Sequence, residues 1–194
     1  MMKSRAKRGP SQNGKVPRAK RPRSLTSRAA KIKLLVLDVD GVLTDGRLLY
    51  GPAGEEVKRF HVRDGFALVA ARQGGLDVAV ISGRASAAVT RRMAELGVSD
   101  VHQGVADKRR CLDELCARLG ITPAEVAAMG DDLPDLPLLR AAGLALAPAD
   151  AAQEVCRVAH WTSRHAGGRG AVREAVEMLL GARKAWPPRI LASR

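Results

Sequence analysis

An α/β fold built on a parallel sheet is what this 194-residue sequence predicts, and three observations carry that prediction. Short runs rich in Leu, Val, Ile and Ala recur at 34–37, 76–81, 126–129 and 143–147 and alternate with stretches of helical length. That alternation is the signature of right-handed strand–helix–strand crossovers. Two of the runs also end in acids, at Asp38-Val39-Asp40-Gly41 and at Gly130-Asp131-Asp132. In an open α/β sheet, ligand chemistry gathers at the carboxyl ends of the strands. Finally, 46% of the residues are hydrophobic while only 3% are aromatic, which predicts a core of Ala, Val and Leu. The length suits one ordinary domain.

The elements follow in order. Lys31 to Asp38 reads as a buried strand that stops at a turn. Arg47–Tyr50 and Glu56–His61 are strand-like runs around Gly-Pro-Ala-Gly-Glu, which predicts a hairpin. Gly65–Gln73 reads as a helix and Leu76–Ile81 as a second buried strand, ending in Ser82-Gly83-Arg84. Ala85–Leu96 is helical and closed by Gly97. Val101 and His102 make a short strand, and Asp107–Leu119 a helix closed by Gly120. Thr122 and Glu125 have capping-box spacing. Then come a strand at Val126–Met129, a Leu-rich helix, a strand at Gly143–Ala147, a short helix, a strand at Ala159–Thr162, and a helix from Ala171 to Leu180.

The charge is unevenly placed. Net charge is +13, yet all 20 acidic residues lie after Leu37, while 12 of the 33 basic ones lie in residues 1–33. From Leu34 onward the chain is close to neutral. Residues 1–30 hold few large apolar groups and cannot bury enough surface to offset their ordering entropy, so they read as a disordered basic tail. Such an arm can bind nucleic acid through phosphates, but no aromatics are interleaved to stack on bases, and a solvated extension is the simpler reading. The folded domain is then 31–180, with 181–194 a loose C-terminal tail. No apolar run reaches membrane-span length, and the basic N-terminus is not followed by a signal core. Cys111, Cys116 and Cys156 are wrongly spaced for zinc or a disulfide framework, so a reducing, cytoplasmic setting is expected.

Four features fall at strand ends or helix starts: Asp38 with Asp40, Ser82, Lys108, and Asp131 with Asp132. Alone, each has a plain structural reading as a turn former, a helix cap or a surface charge. Together they meet the demands of phosphate-monoester chemistry, which needs a nucleophile, a proton donor and positive charge around the equatorial oxygens. Asp38 suits the nucleophile and Asp40 the acid and base. Asp38 and Asp131, with the backbone carbonyl of Asp40, offer the hard oxygens that Mg²⁺ prefers. Ser82 and Lys108 would hold the phosphate, Lys108 from a helix N-terminus. A calcium loop, a P-loop and a Gly-x-Ser-x-Gly hydrolase do not fit, because the glycine spacing is wrong or the motif is absent.

Asp38-Val-Asp-Gly-Val-Leu-Thr-Asp-Gly46, Ile81-Ser82-Gly83-Arg84, Lys108 and Gly130-Asp131-Asp132-Leu-Pro-Asp135 resemble the four motifs of the haloacid dehalogenase (HAD) superfamily. Phe60-His-Val-Arg63-Asp64-Gly65, Gln103 to Lys108 and Gly167-Gly-Arg169-Gly-Ala-Val-Arg173-Glu174 resemble its 3-deoxy-D-manno-octulosonate 8-phosphate (KDO 8-phosphate) phosphatase subfamily. The likeness spans Ile32 to Leu180. It implies a Rossmann-like three-layer α/β/α, HAD-like fold, a Mg²⁺-dependent phosphatase of lipopolysaccharide biosynthesis, and a homotetramer. It further implies that Arg63 and Arg84 meet the anionic sugar acid and that Arg169 reaches an adjacent subunit. A related nonulosonate 9-phosphate is the alternative substrate. Only 37 positions separate Asp45 from Ser82, which leaves room for a small β-hairpin flap and no cap domain. The chain departs from the subfamily at Ala149-Asp150-Ala151-Ala152-Gln153, where a histidine is usual, and at Gly65-Phe66-Ala67, where a second glycine is common.

Overall fold

The structure, a computed structural model, describes residues 24–187. The basic segment 1–23 and the last residues, 188–194, lie outside it.

Strand β1 (Leu34–Leu37) is buried along its whole length, because both faces of the sheet are covered. Its side chains alternate between two cores. Leu35 and Leu37 pack with Leu68, Met93, Val176 and Leu179. Leu34 and Val36 pack with Leu112, Leu115, Leu138 and Val155. The first core is closed by α2 (Val62–Gln73), α3 (Ala87–Glu95) and α7 (Ala171–Ala182), and the second by α4 (Lys108–Leu119), α5 (Leu136–Ala141) and α6 (Gln153–Val158). The result is the expected three-layer sandwich.

The sheet contains β4 (Asp77–Ile81), β5 (Asp100–His102), β6 (Val126–Met129), β7 (Leu144–Ala147) and β8 (Trp161–Thr162) beside β1, in the order β5-β4-β1-β6-β7-β8, with every pairing parallel. The chain winds outward from β1 through β4 to β5, then crosses to the other side of β1 and winds outward again. The switch point therefore lies at β1, where a ligand crevice opens at the strand ends. Leu37 pairs with Val80 on one side and Met129 on the other. That register brings the residues just beyond these strands, Asp38, Ser82 and Gly130-Asp131, to one edge.

A two-stranded hairpin, β2 (Leu49–Tyr50) and β3 (Glu56–Val57), stands apart from the main sheet. Its strands are shorter than the expected 47–50 and 56–61, and among the described residues no further strand extends the ladder. Leu48, Leu49, Tyr50 and Val57 are exposed on it.

Two boundaries differ from expectation. Residues 25–29, expected within the tail, form helix α1 (Leu25–Ala29). Ser24 caps it, Ala29 is fully buried, Leu25 packs on the core, and Arg28 donates to the Gly143 carbonyl at 2.9 Å. At the other end α7 continues to Ala182, and Ala185 and Trp186 pack against the core, where a loose tail from Gly181 was expected. Arg173 is stacked against Trp186 and Phe66, 4.6 and 5.3 Å from their ring centres. Helix α4 is capped as anticipated, by the Asp107 side chain at its start and left-handed Gly120 at its end, and Thr122 with Glu125 closes a capping box.

Helix α2 starts three residues earlier than its apolar pattern indicates, which places Asp64 in its first turn. Asp64 is buried and its carboxylate accepts from the backbone N–H groups of Gly170 and Arg173, at 3.1 and 2.8 Å. One helix thus supplies the missing N-terminal partner of another. Replacing Asp64 by Ala removes both bonds and is expected to lower unfolding free energy by about 2 kcal/mol, measured by urea denaturation.

Candidate active site

Asp38, Asp40, Ser82, Arg84, Lys108, Asp131 and Asp135 line one cavity of about 320 Å³ at the carboxyl end of the sheet. This is large enough for a small ligand. Each residue is positioned by its element. Asp38 continues β1, and its N–H bonds the Met129 carbonyl at 3.0 Å. Val39 is fully buried, so Asp38 and Asp40 turn toward the opening together. The chain after Asp40 wraps on the Val39 carbonyl, which accepts from the N–H groups of Val42, Leu43 and Thr44. Ser82 is buried at the end of β4, where it bonds His102 at 2.9 Å and Val105 at 3.0 Å through its backbone.

Two glycines set the closeness of this packing. Gly41 has φ of +87°, and a Cβ there would fall 2.0 Å from a carboxylate oxygen of Asp131. Gly167 presses its Cα on the same loop, so that a Cβ would lie 1.8 Å from the Gly41 carbonyl oxygen. The Gly168 N–H bonds the Val42 carbonyl at 2.9 Å, and Asp150 accepts from the Gly167 N–H at 2.9 Å. Asp150 belongs to the loop without the usual histidine, and it still ties that loop to the site.

Lys108, the first residue of α4, reaches the strand ends with its side chain almost fully buried. Its ammonium donates to Asp38 Oδ1 at 2.9 Å and to Asp135 Oδ1 at 2.6 Å. Asp135 Oδ2 accepts from the N–H groups of Asp131 and Asp132, at 3.0 and 3.3 Å. Carboxylate oxygens of Asp38, Asp131 and Asp135 lie within 4.8 Å of one another. Burial, with the Asp135 charge second, pushes the Asp38 carboxyl up to about 6 although Lys108 opposes it. Burial and the charges of Asp135 and Asp38 push Asp131 up to about 7. Lys108 stays above its usual range, since its two aspartates outweigh the cost of burial.

This donor set suits a hard dication. Both oxygens of Asp135 are committed to Lys108 and to backbone amides, which leaves Asp38 and Asp131 as the carboxylates open to Mg²⁺. The Asp40 carboxylate lines the same cavity outside that carboxylate cluster: it binds the Lys58 ammonium and faces Arg84 Nε at 3.6 Å. Its expected contribution to a metal was through the backbone carbonyl only.

Sequence reasoning placed Asp38, Asp40, Ser82, Arg84, Lys108 and Asp131 in this cavity, and the structure brings all six together. It missed the anchoring role of Asp135, whose signal was the four-residue spacing from Asp131 across a Pro-led turn. It also missed Lys58 and Glu56, which lie on the hairpin and carry no strand-end signal. Arg63 and Arg169 are not in this cavity. They line a second one, of about 290 Å³, with Arg164, His165, Arg173 and Glu174.

A model of haloacid dehalogenase-like hydrolases matches residues 97–175. The chain is 44% identical over 154 residues to the 3-deoxy-D-manno-octulosonate 8-phosphate phosphatase KdsC of Escherichia coli K12, a match that covers 79% of this chain and 82% of that protein. Among solved structures, the 3-deoxy-D-manno-octulosonate 8-phosphate phosphatase of Moraxella catarrhalis, in complex with magnesium, phosphate and KDO, superposes with a TM-score of 0.83 at 40% identity, over 87% of this chain and 97% of that one. The cobalt-bound enzyme of Haemophilus influenzae gives a TM-score of 0.79 at 38% identity, over 82% and 95%.

The raised carboxyls yield a pH prediction. As neutral acids, Asp38 and Asp131 add stability to the metal-free fold that is full below their ordinary value of 3.8 and is lost as pH rises through about 6 and about 7. A cation needs both ionised. The rise in melting temperature caused by Mg²⁺ is therefore expected to be several-fold larger at about pH 8 than at about pH 5 in thermal-shift measurements. An equal shift at both would exclude these two acids as its ligands.

With the four motifs gathered at one sheet edge and the likeness running over most of both chains, the protein belongs to the haloacid dehalogenase-like hydrolases, in the family of the 3-deoxy-D-manno-octulosonate 8-phosphate phosphatases.

Proposed function

We propose that the chain is a cytoplasmic, Mg²⁺-dependent phosphatase that releases phosphate from KDO 8-phosphate, within lipopolysaccharide biosynthesis. The observation that carries the reading is the single cavity in which Lys108 bridges Asp38 and Asp135 beside Ser82, Asp40 and Asp131. The likeness to an enzyme crystallised with magnesium, phosphate and KDO supports it.

Lys108 donates to Asp38 Oδ1, which keeps a lone pair for a cation, so Oδ2 is the oxygen free to attack phosphorus. A bond forms from that oxygen to phosphorus as the bond from phosphorus to the sugar oxygen breaks. Asp40 gives its proton to the leaving oxygen, then takes one from the water that cleaves the aspartyl phosphate. Lys108 and the Ser82 hydroxyl hold the phosphate oxygens. Asp38 and Asp131 would hold Mg²⁺, whose positive charge would offset the crowding of carboxylates and phosphate. At the mouth, Arg84 is half exposed and can meet the carboxylate of a sugar acid.

Asp38→Asn is expected to lower phosphate release from KDO 8-phosphate by at least about 10³-fold while the fold persists, since the nucleophile is lost. Wild-type turnover by that variant in the presence of Mg²⁺ would reject the assignment. A panel of sugar-acid phosphates, including nonulosonate 9-phosphates, fixes the substrate: preference for neutral sugar phosphates would exclude the Arg84 role.

Arg63 and Arg169 line a different cavity from Asp38, so we place their contact with substrate at the site of a neighbouring copy in a homotetramer. Mixing subunits tests this. Asp38→Asn chains co-assembled with Arg63→Ala chains are expected to recover activity that neither has alone, whereas no recovery in verified mixed oligomers would confine each site to one chain.

A further inference from the structure

We propose that Lys58 is a positioning residue for phosphoryl transfer, one that acts through Asp40 and ties the hairpin to the proton donor. The inference rests on the reading above that Asp40 is the general acid.

Lys58 follows β3, and its side chain is only 2% exposed. Its ammonium bonds Asp40 Oδ1 and pairs with Glu56 Oε1 at 2.5 Å. Arg84 completes the group, with Nη2 at 3.4 Å from Glu56 Oε2 and Nε at 3.6 Å from Asp40 Oδ2. With Asp40 ionised, four side chains of alternating sign form a closed ring, Asp40, Lys58, Glu56 and Arg84. When Asp40 serves as the acid its proton belongs on Oδ2, and Oδ1 can still accept from Lys58. The two cations in it have different freedom. Arg84 lines the cavity and is 48% exposed, free to turn toward a ligand. Lys58 lies behind Asp40, outside the residues that line the cavity, and cannot reach a phosphate without breaking both of its ion pairs.

Burying an ammonium costs several kcal/mol that an apolar side chain of the same size would avoid. A role in stability alone gives little reason for the charge. Fixing an oxygen of Asp40 does, because proton transfer requires the donor within hydrogen-bond reach of the leaving oxygen. With Oδ1 held by Lys58, the carboxyl plane is set and Oδ2 is the oxygen presented on the Arg84 side. The hydrogen bond to Asp40 and the ion pair with Glu56 also keep the Lys58 charge in place against the opposing effect of burial.

The split between leaving groups is the test. An alkoxide leaves poorly without a proton, whereas p-nitrophenolate needs none. Phosphoenzyme formation, followed by rapid quench, compares KDO 8-phosphate with p-nitrophenyl phosphate. Lys58→Met is expected to slow the first by about 10²-fold, the scale of general-acid assistance, and the second by less than about threefold. Lys58→Gln, which keeps a polar group in the buried position, is expected to show the same split and stands in should the methionine variant fail to fold. Lys58→Arg is expected to restore the alkyl rate to within about tenfold of wild type. Equal losses on both phosphates, or none, would overturn the assignment. A wild-type enzyme silent on both phosphates would instead remove the functional reading, and this inference with it.

Discussion

The buried ammonium of Lys108 is the contact on which the site depends. Three carboxylates within 4.8 Å cannot all stay charged in a buried crevice without a cation among them. Lys108 answers part of that demand from the far layer, by reaching from the start of α4 to the tip of β1 and to the turn after β6. Asp135 then spends its second oxygen on the amides of Asp131 and Asp132, which fixes the acid that completes the site. Sheet, helix layer and turn are joined by a few charge-assisted bonds.

The same crevice is shaped by close backbone contact. Gly167 and Gly41 bring two distant loops together at a separation that no side chain would permit. Asp150 and Asp64 secure the Gly167–Gly170 segment from either side, one by its loop amide and the other by the first turn of α7. The geometry of the Asp38 loop is thus coupled to the C-terminal helix, which also carries Arg173 between Phe66 and Trp186.

Most of the fold was legible because each buried strand is a continuous apolar run and each strand end carries a polar signal. The sheet, the hairpin and the Asp38, Ser82, Lys108 and Asp131 positions follow from that coincidence. What escaped depends on contacts that one-dimensional patterning does not encode. Helix α1 is too short to show periodicity and forms because α7 offers it a surface. Lys58 reads as any hairpin lysine until the fold lays it behind Asp40. Arg63 and Arg169 stand in motifs of the same family as those of Asp38 and Lys108, yet α2 and the start of α7 carry them to another face.

The outermost strands have a consequence for assembly. β5 is three residues long and β8 only two, so the sheet presents few unpaired amides at either rim. Growth by adding another chain's strand, a common route to aggregation, finds almost no template there. The projecting hairpin, where Leu48, Leu49, Tyr50 and Val57 are exposed, offers side chains instead of a long ladder of amides. A surface of side chains, unlike a ladder of amides, recognises shape, and the symmetry of the contact decides whether anything built on it closes or extends.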